Sequence, residues 1–546
     1  FTIPLFGGIP IKESVVVTWI IMAVIVGLCI IFVRNLSVEN PGKVQLLLES
    51  AIGKGLDFFE DIMGKENRKY IPYLITVLIY IGIANIIGLF GLENEDIQSI
   101  EYIRDGNNAI VDVFLTPHSI RCPDCGYDQP KIKNYVLKKI THSILSDRGC
   151  TLHYHARRFV CPVCHRTYYE KNPFVFQGRK ISIKTVINIL TDLKKSTETF
   201  ASVAERYHIS PTSAASIFDE HVQISRHTLP EMINFDEVYA FRTKTSKFVC
   251  VLLDYQKQTP IDVLDSRHKS NLQSYFGNIS IEERKKVRYC CSDMYTTYRD
   301  IVHIYFPNST HCVDHYHMIQ ELNRKVDDVR IRIMKKYGTA SDEYYMLKKF
   351  KWMIFKNEES EEKKRKLKAR GKLPLFDPNV QKVFNRRLNQ YLNYYDIYSR
   401  LLKIHPDLTA AWILKDEVTD FYDNVTYDTA SEKLDELIQD FSESGVSEMI
   451  RFSRTLRNWK QEIINSFIIV DYEYKVDKDT GHVVVQPKKM NNAIIENKNS
   501  IIKTIKKNAN GYTNWNRFRN RIMYVLDPEA TFRAEPLSLS KSKSSQ

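Results

Sequence analysis

The sequence predicts a multidomain chain. Two membrane-crossing helices come first, then a small cysteine-pinned domain, then two short helices around a turn. An α/β core broken by a long helical insertion completes it. Three observations predict this. Two uncharged apolar runs occupy the first ninety residues. Two Cys-x-x-Cys pairs stand about forty residues apart. Short apolar segments beyond residue 230 carry isolated acidic residues at their ends. A chain of 546 residues has room for about three to four domains. Its net charge of +13 is a mild basic excess, which suits a polyanionic partner. Of ten cysteines, four sit in the paired motifs, which points to metal in a reducing compartment rather than to disulfides. The chain opens on Phe with no Met before it and is expected to be part of a longer one.

The first apolar run, "VVVTWIIMAVIVGLCIIFV", covers Val15 to Val33 without a charge and is long enough to span a bilayer. The second covers Tyr70 to Leu92, with Pro72 near its start, where a helix tolerates proline. Between them Arg34, Lys43, Lys54, Lys65, Arg68 and Lys69 place the loop on the cytoplasmic side. Residues 1–92 are therefore expected to be a two-helix membrane fragment, and 93–117 a junction. The stretch "NPGKVQLLLESAIGKGLDFFEDIMGKENRKYIPYLITVLIYIGIANIIGL" resembles the a subunit of the rotary ATP synthase, through Pro41-Gly42, Glu49, "KYIPYL" and Asn85. That family carries its proton-channel arginine on a later helix, which has no counterpart here. Neither apolar run holds a charge, so no proton path is expected.

Residues 118–170 read as a zinc-binding domain. Cys122 and Cys125 form one knuckle and Cys161 and Cys164 the other. Zinc takes four soft ligands in a tetrahedron, and each C-x-x-C lets two thiolates of one tight turn reach the same ion. His165 adjoins the second knuckle and is expected not to ligate. Arg157 and Arg158 lie beside the site, as phosphate contacts or as solvated charge. Residues 180–225 read as a helix-turn-helix. Ala201, Val203 and Ala204 suit a first helix, and "HISP" a turn. Ser210 can cap a second helix with Pro211 at its first position. In such a motif the second helix enters the major groove. Its outward Ser213 and Ser216 are candidate DNA contacts.

Residues 230–527 read as the core. Asp236 ends an apolar strand, Asp293 follows a fourth one, and Glu496 lies on a late helix, with Asn499 and Lys503 on its face. A carboxylate on a first strand, one after a fourth strand and one on a late helix is the layout of an RNase H-like nuclease core. Converging carboxylates can hold two Mg2+ ions, or Mn2+, for phosphodiester chemistry. The gap between Asp293 and Glu496 implies a helical insertion over about 318–467. Its "EESEEKKRKLKARGKL" is expected to be an exposed, mixed-charge segment. Lys506, Lys507, Arg517 and Arg519, mixed with Tyr512, Trp515 and Phe518, suit backbone contact and stacking on DNA, with Phe518 as core. Residues 528–546 read as a disordered tail.

From about Tyr102 to Asp527 the chain resembles transposases of the ISL-three family of insertion sequences. The resemblance lies in "RRFVCPVCHRTYYE", "FDEVYAFR", "SDMYTTYRD", "VDHYHMIQELNRKVDDVR" and "AIIENKNSIIKTIKKNANGYTNWNRFRNRI". It implies an acidic triad at Asp236, Asp293 and Glu496, and an accessory D-x-x-H at Asp314 and His317. Asp314 is a rival for the second position. It also implies cutting of transposon ends and joining to target DNA, double-stranded DNA as partner, and a dimer or larger assembly on it. The sequence departs from the family at "DHYH" and "ENKNSIIK", and neither departure removes a carboxylate.

The junction reads as an insertion scar in an a-subunit gene with the frame left open. No Met occurs between Met63 and Met232 to restart the chain. As one polypeptide the chain would sit at the membrane, whereas its transposase part alone would be cytoplasmic. Two other readings compete: an a-subunit fragment with an accidental tail, and a zinc and helix-turn-helix DNA-binding protein with an inactive core.

Overall fold

The computed structural model describes residues 97–538 except 107, 118–119, 146–147, 244–245, 357–360 and 477–482, with a few isolated residues before 97. It divides into two compact units. One holds residues up to 189 together with 206–208, and the other holds 190–205 and 209 onward.

The first unit is built on a five-stranded sheet: β1 (Ile97–Asp105), β2 (Asn108–Leu115), β3 (Lys131–Leu145), β4 (Arg148–Val160) and β5 (Thr167–Tyr169). The order is β1-β2-β4-β3, with β5 also on β4. Only the β2–β4 pair is parallel. β2 shows why. Its sequence "NAIVDVFL" alternates, and Ala109, Val111 and Val113 are buried against Ile140, Leu152, Tyr154 and Phe174. Gly106, at φ +56°, makes the turn into β2 in a conformation that favours glycine. The expected junction over 93–117 thus contains two strands, one of them central to this sheet.

The second unit opens with α1 (Ile183–Asp192, which begins in the first unit), α2 (Phe200–Arg206) and α3 (Pro211–His221). Ser210 caps α3 by accepting from the Ser213 N–H, with Pro211 in its first turn. The core sheet follows: β6 (Met232–Val238), β7 (Val249–Asp254), β8 (Thr259–Leu264), β9 (Tyr289–Ser292) and β10 (Thr310–Val313). Its order is β8-β7-β6-β9-β10. The first three strands pair antiparallel and the last two parallel. Helices α4 (Lys269–Gly277), α5 (Ile281–Arg284) and α6 (Thr296–Tyr305) connect them. β6 and β7 are covered on both faces, and β6 carries Asn234, Asp236 and Glu237 among its apolar residues. Phe235, Cys250 and Leu252 pack against Phe276, Tyr298 and Ile301. Val238, Val249 and Val251 pack the other way, against Ile495, Ile502, Phe518 and Ile522 of the last two helices.

The insertion begins with α7 (His315–Met334), whose Met318, Leu322, Val326, Val329 and Ile333 form one buried stripe at helical spacing. It continues through α8 (Asp342–Lys349), α9 (Trp352–Phe355) and the exposed α10 (Glu361–Ala369). A small hairpin, β11 (Val383–Asn385) and β12 (Gln390–Leu392), leads to α11 (Tyr394–Leu402). Helices α12 (Pro406–Asn424), α13 (Tyr427–Glu443), α14 (Ser447–Asn458) and α15 (Lys460–Asn465) close its core, which reaches Phe467. A hairpin of β13 (Ile469–Val476) and β14 (Val483–Lys489) returns the chain to α16 (Ala493–Asn508) and α17 (Trp515–Leu526).

One part of the expected fold is corrected. Among the described residues no helix is long and apolar enough to cross a membrane, so two transmembrane helices are not supported. The longest described helix, α7, is amphipathic, with an apolar stripe on the insertion core and charged residues elsewhere. Val15–Val33 and Tyr70–Leu92, on which the spans were expected, lie outside the described residues.

Candidate active site

The sheet register brings three aspartates to one level. Cys291 of β9 stands opposite Asn234 of β6, and Ser292 stands opposite Val313 of β10. Two residues on, Asp293 comes level with Asp236; one residue on, it comes level with Asp314. Adjacent strands are about 4.8 Å apart, so three carboxyl-bearing residues sit side by side on neighbouring parallel strands. Asp236 and Asp314 are 6% and 2% exposed, which is unusual for carboxyl groups with no Arg or Lys partner.

α16 supplies the rest. Asn499 donates from Nδ2 to Asp236 Oδ2 at 2.7 Å, and Glu496 lies one turn earlier on the same helix. His317, in the first turn of α7, has Nε2 3.9 Å from Asp314 Oδ2 and 3.8 Å from Glu496 Oε1. Asp314, His317 and Glu496 together offer donor atoms close enough to share one ion. Lys503 is exposed about two turns beyond Glu496.

The electrostatics are those of crowded like charge. Burial pushes the Asp236 carboxyl up to about 7, against the backbone N–H of Glu237, and the charges of Glu237, Glu496 and Asp314 push the same way. Burial also pushes Asp293 up to about 8, with Glu237 and Asp236 adding to it and Arg267 opposing. Glu496 is raised by burial and then by Asp314, and lowered by His317 and Lys503. Three buried polar atoms here have no hydrogen-bond partner: Asp293 Oδ1, His317 Nε2 and Asn499 Oδ1. Unsatisfied buried groups are rare in folded proteins, and a cluster of them among raised carboxyl groups fits divalent cations with their water.

Two structural devices were not read from the sequence. The first is an asparagine clasp. Asn234 donates to Asn491 O at 2.8 Å and to Asn492 Oδ1 at 2.7 Å. Asn492 donates from its side chain to Phe235 O at 3.2 Å and from its backbone N–H to Asp314 Oδ1 at 3.2 Å. The clasp pins the start of α16 to β6 and to the end of β10, and so sets where Glu496 stands. The second is the Glu237 cluster: Glu237 pairs with Arg267 and accepts from the Tyr298 hydroxyl at 3.2 Å. The two asparagines of "MNNAIIEN" were the available signal, since consecutive buried amides need partners.

In the first unit the four cysteines converge. Cys122 and Cys164 Sγ are 3.5 Å apart, and Cys125 and Cys161 Sγ are 3.4 Å apart. All four Sγ lie within 4.8 Å of one another. The two turns are alike: Gly126 N–H bonds Cys122 O, and His165 N–H bonds Cys161 O. Gly126 and His165 both have φ near +60° to +70°. The Cys122 thiol is pulled down to about 7, chiefly by the backbone N–H of Cys125.

Several expected DNA contacts are engaged inside the protein instead. Arg157 is 3% exposed, pairs with Glu170 at 2.7 Å and donates to Thr116 O at 2.9 Å. Arg517 grips both oxygens of Asp219, and Arg519 pairs with Asp262 and donates to Ile224 O. Their partners lie far away in sequence, so they read as free basic residues. Arg158 donates to Thr167 Oγ1 at 3.4 Å and packs over Tyr169. Ser213 bonds Ser210 at 2.8 Å, and the exposed Ser216 bonds Glu220 at 3.2 Å. Lys506 lies over the Tyr239 ring, while Lys507 is exposed.

Residues 233–471 and 476–522, more than half of the chain, match the ISL3 family described as transposase. The chain belongs to that family. Residues 15–123 match a different family, the ATP synthase A chain. In that region the chain is 34% identical over 83 residues to ATP synthase subunit a 2 of Bradyrhizobium sp., covering 15% of this chain and 37% of that protein. It is 33% identical over 75 residues to subunit a of Desulfosudis oleivorans, and 41% over 73 residues to that of Desulfotalea psychrophila. These cover 14% and 13% of this chain, and 32% and 30% of the relatives. The chain thus spans about a third of the length of these curated relatives. The expected fusion of an a-subunit-like segment with a transposase is what the two matches give.

The clasp yields a prediction. Asn492→Ala removes the side-chain bonds from Asn492 to Asn234 and to Phe235 O, leaving Asn234 only its bond to Asn491 O, at a cost of about 1–3 kcal/mol, and loosens Glu496. DNA strand cleavage should fall by about 10- to 100-fold while DNA affinity stays within about threefold. An unchanged cleavage rate would show that the clasp does not position the site.

Proposed function

We propose that the chain is a DNA transposase that cuts transposon ends and joins them to target DNA by two-metal phosphodiester chemistry. The observation that carries this reading is the register that levels Asp236, Asp293 and Asp314, together with the approach of Asp314, His317 and Glu496 to within reach of one ion. Asp236, Asp293 and Glu496 are the catalytic acids, with Asp314 and His317 supporting them. Mg2+, or Mn2+ in its place, would supply activation of the attacking oxygen and stabilisation of the leaving oxygen. The orphaned Asp293 Oδ1 and the raised carboxyl groups support a fit for such ions.

The protein's own groups have distinct tasks. Asn499 holds Oδ2 of Asp236 and the Glu237 backbone N–H holds its Oδ1, so the rotamer of Asp236 is fixed at both oxygens. The asparagine clasp fixes the distance between α16 and β6. His317 stands between Asp314 and Glu496, where its Nε2 can donate to one carboxylate or to a phosphate oxygen. Burial excludes bulk water, which strengthens every charge interaction in the site.

DNA is held elsewhere as well. Lys503 and Lys507, exposed on α16, and Lys506 over Tyr239 suit contact with the phosphate backbone near the site. Ser213 and Ser216 on α3 suit contact with a groove, and α2 and α3 with their capped turn act as a helix-turn-helix. The Cys122, Cys125, Cys161 and Cys164 set holds a structural zinc ion. Two transposon ends must be joined in one event, so the protein works on DNA as a dimer or larger.

Asp236→Asn in the full chain tests the catalytic assignment. Mg2+-dependent cleavage of end-bearing DNA should drop by at least about 10³-fold with binding retained. Wild-type protein that binds but never cuts with any divalent metal would overturn it. Metal analysis of the same preparations should find one zinc per chain, lost in Cys161→Ser. A zinc content unaffected by that change would remove the zinc assignment.

A further inference from the structure

A further set of metal-binding side chains shares no residue with the acidic row or with the four cysteines. His303 in the last turn of α6, His311 on β10 and Glu462 on α15 each offer one donor atom, and these lie within 4.8 Å of one another. The two imidazole rings stand edge to face, with centroids 6.3 Å apart. His311 and Glu462 are 3% and 6% exposed, while His303 is at the surface.

The hydrogen bonds around His311 decide which of its nitrogens can take a ligand. Ser292 has one hydroxyl proton and donates it to Asp293 O at 2.9 Å. Its oxygen therefore accepts the 2.9 Å bond from His311 Nε2. With that proton on Nε2, a neutral His311 carries its lone pair on Nδ1. This Nδ1 is shielded from solvent and has no hydrogen-bond partner. Burial, with His303 and Arg299 adding to it, holds the imidazole down to about 3, so the ring is neutral near pH 7. A buried lone pair without a donor is costly, and a metal ion satisfies it. The far side of the ring fits too, since a metal-bound imidazole ordinarily donates its other N–H to a nearby oxygen, as Nε2 does to Ser292.

Glu462 is held from outside in the same way. Arg299 Nε stands 3.0 Å from its Oε1. The guanidinium is itself fixed by Asn458 O at 3.1 Å and by the Trp459 ring, whose centroid is 3.5 Å away. Zinc ligands stand about 2 Å from the ion, hence at most about 4 Å from one another. His303, at the surface, has the rotamer freedom to close the difference. Two imidazoles and one carboxylate suit Zn2+, Co2+ or Ni2+, whereas Mg2+ keeps to oxygen.

We propose that His303, His311 and Glu462 bind one divalent transition-metal ion, zinc by preference, which clamps the insertion to the core sheet. The ion joins α6, β10 and α15, and through Ser292 it reaches the backbone of Asp293. With three protein ligands, one of them at the surface, it exchanges with solution, whereas the four-thiolate site keeps its zinc. The site does not depend on the transposase reading.

The test uses the full chain, dialysed so that it retains only its cysteine-bound zinc. It is titrated with Co2+ in the absence of DNA, with Mg2+ in large excess to occupy the carboxylate row. One Co2+ per chain should bind, with the visible bands of nitrogen and oxygen ligands and without the thiolate charge-transfer bands of a cysteine site. Its binding should raise the Tm. His303→Ala alters a surface residue and should melt like the wild type when metal is absent. It should weaken Co2+ binding by at least about 10-fold, the least that outer partners of a metal site cost, and shrink the rise in Tm. Glu496→Gln should bind Co2+ as the wild type does. No Co2+ beyond the cysteine site would overturn the proposal. So would binding unchanged in both His303→Ala and Glu462→Gln, or binding lost in Glu496→Gln, which would put the ion in the acidic row. A chain that binds this Co2+ and never cuts DNA would overturn the transposase reading and leave the clamp standing.

Discussion

Negative charge forced together without water organises the second unit. Asp236, Asp293 and Asp314 come level because β6, β9 and β10 run parallel in register, and parallel pairing gives each strand end the same direction. Burial then makes the Asp236 and Asp293 carboxyl groups costly to ionise. Such a row persists only where something over-determines it. Here the apolar faces of β6 and β7 are filled on both sides, so the strand ends cannot move apart without opening two hydrophobic clusters. The asparagine clasp adds a polar restraint at the one place where α16 meets the row.

The insertion follows from the same constraint. β10 ends at Val313, and α7 starts at once with His315, so the first helix of the insertion grows out of the acidic row. Its buried stripe anchors it in a core that reaches Phe467. Arg299 ties that core back to the sheet helices, pairing with Glu462 at 3.0 Å and lying 3.5 Å from the Trp459 ring centroid. Asn465 donates to His311 O on β10 at 2.8 Å. The insertion is thus packed onto the elements that carry the site rather than tethered to them.

Short-range chemistry was legible in the sequence, and long-range chemistry was not. The four cysteines could be read because each C-x-x-C is a local turn, and the structure brings all four Sγ together. Asp236, Asp293 and Glu496 could be placed because strand ends and a helix face leave local patterns. The clasp could not, since Asn234 and Asn492 are 258 residues apart and the paired asparagines of "MNNAIIEN" do not say which strand they meet. Arg517 and Arg519 misled for the same reason, because Asp219 and Asp262 lie 298 and 257 residues away. The strands of 97–115 were hidden differently: the alternation of "NAIVDVFL" is clear, but it follows an apolar run that dominates the reading of that region. The membrane expectation rested on apolar length alone, in residues outside those described.

The central claim is that the acidic row exists to hold divalent cations. Electron paramagnetic resonance of the full chain, titrated with Mn2+ in the presence of uncleavable end-bearing DNA, measures it directly. The account predicts two coupled Mn2+ ions per chain in the wild type, and loss of the coupling in Asp293→Asn. A wild-type chain that cuts this DNA's cleavable counterpart while binding no more Mn2+ than an Asp236→Asn, Glu496→Gln double variant would contradict it.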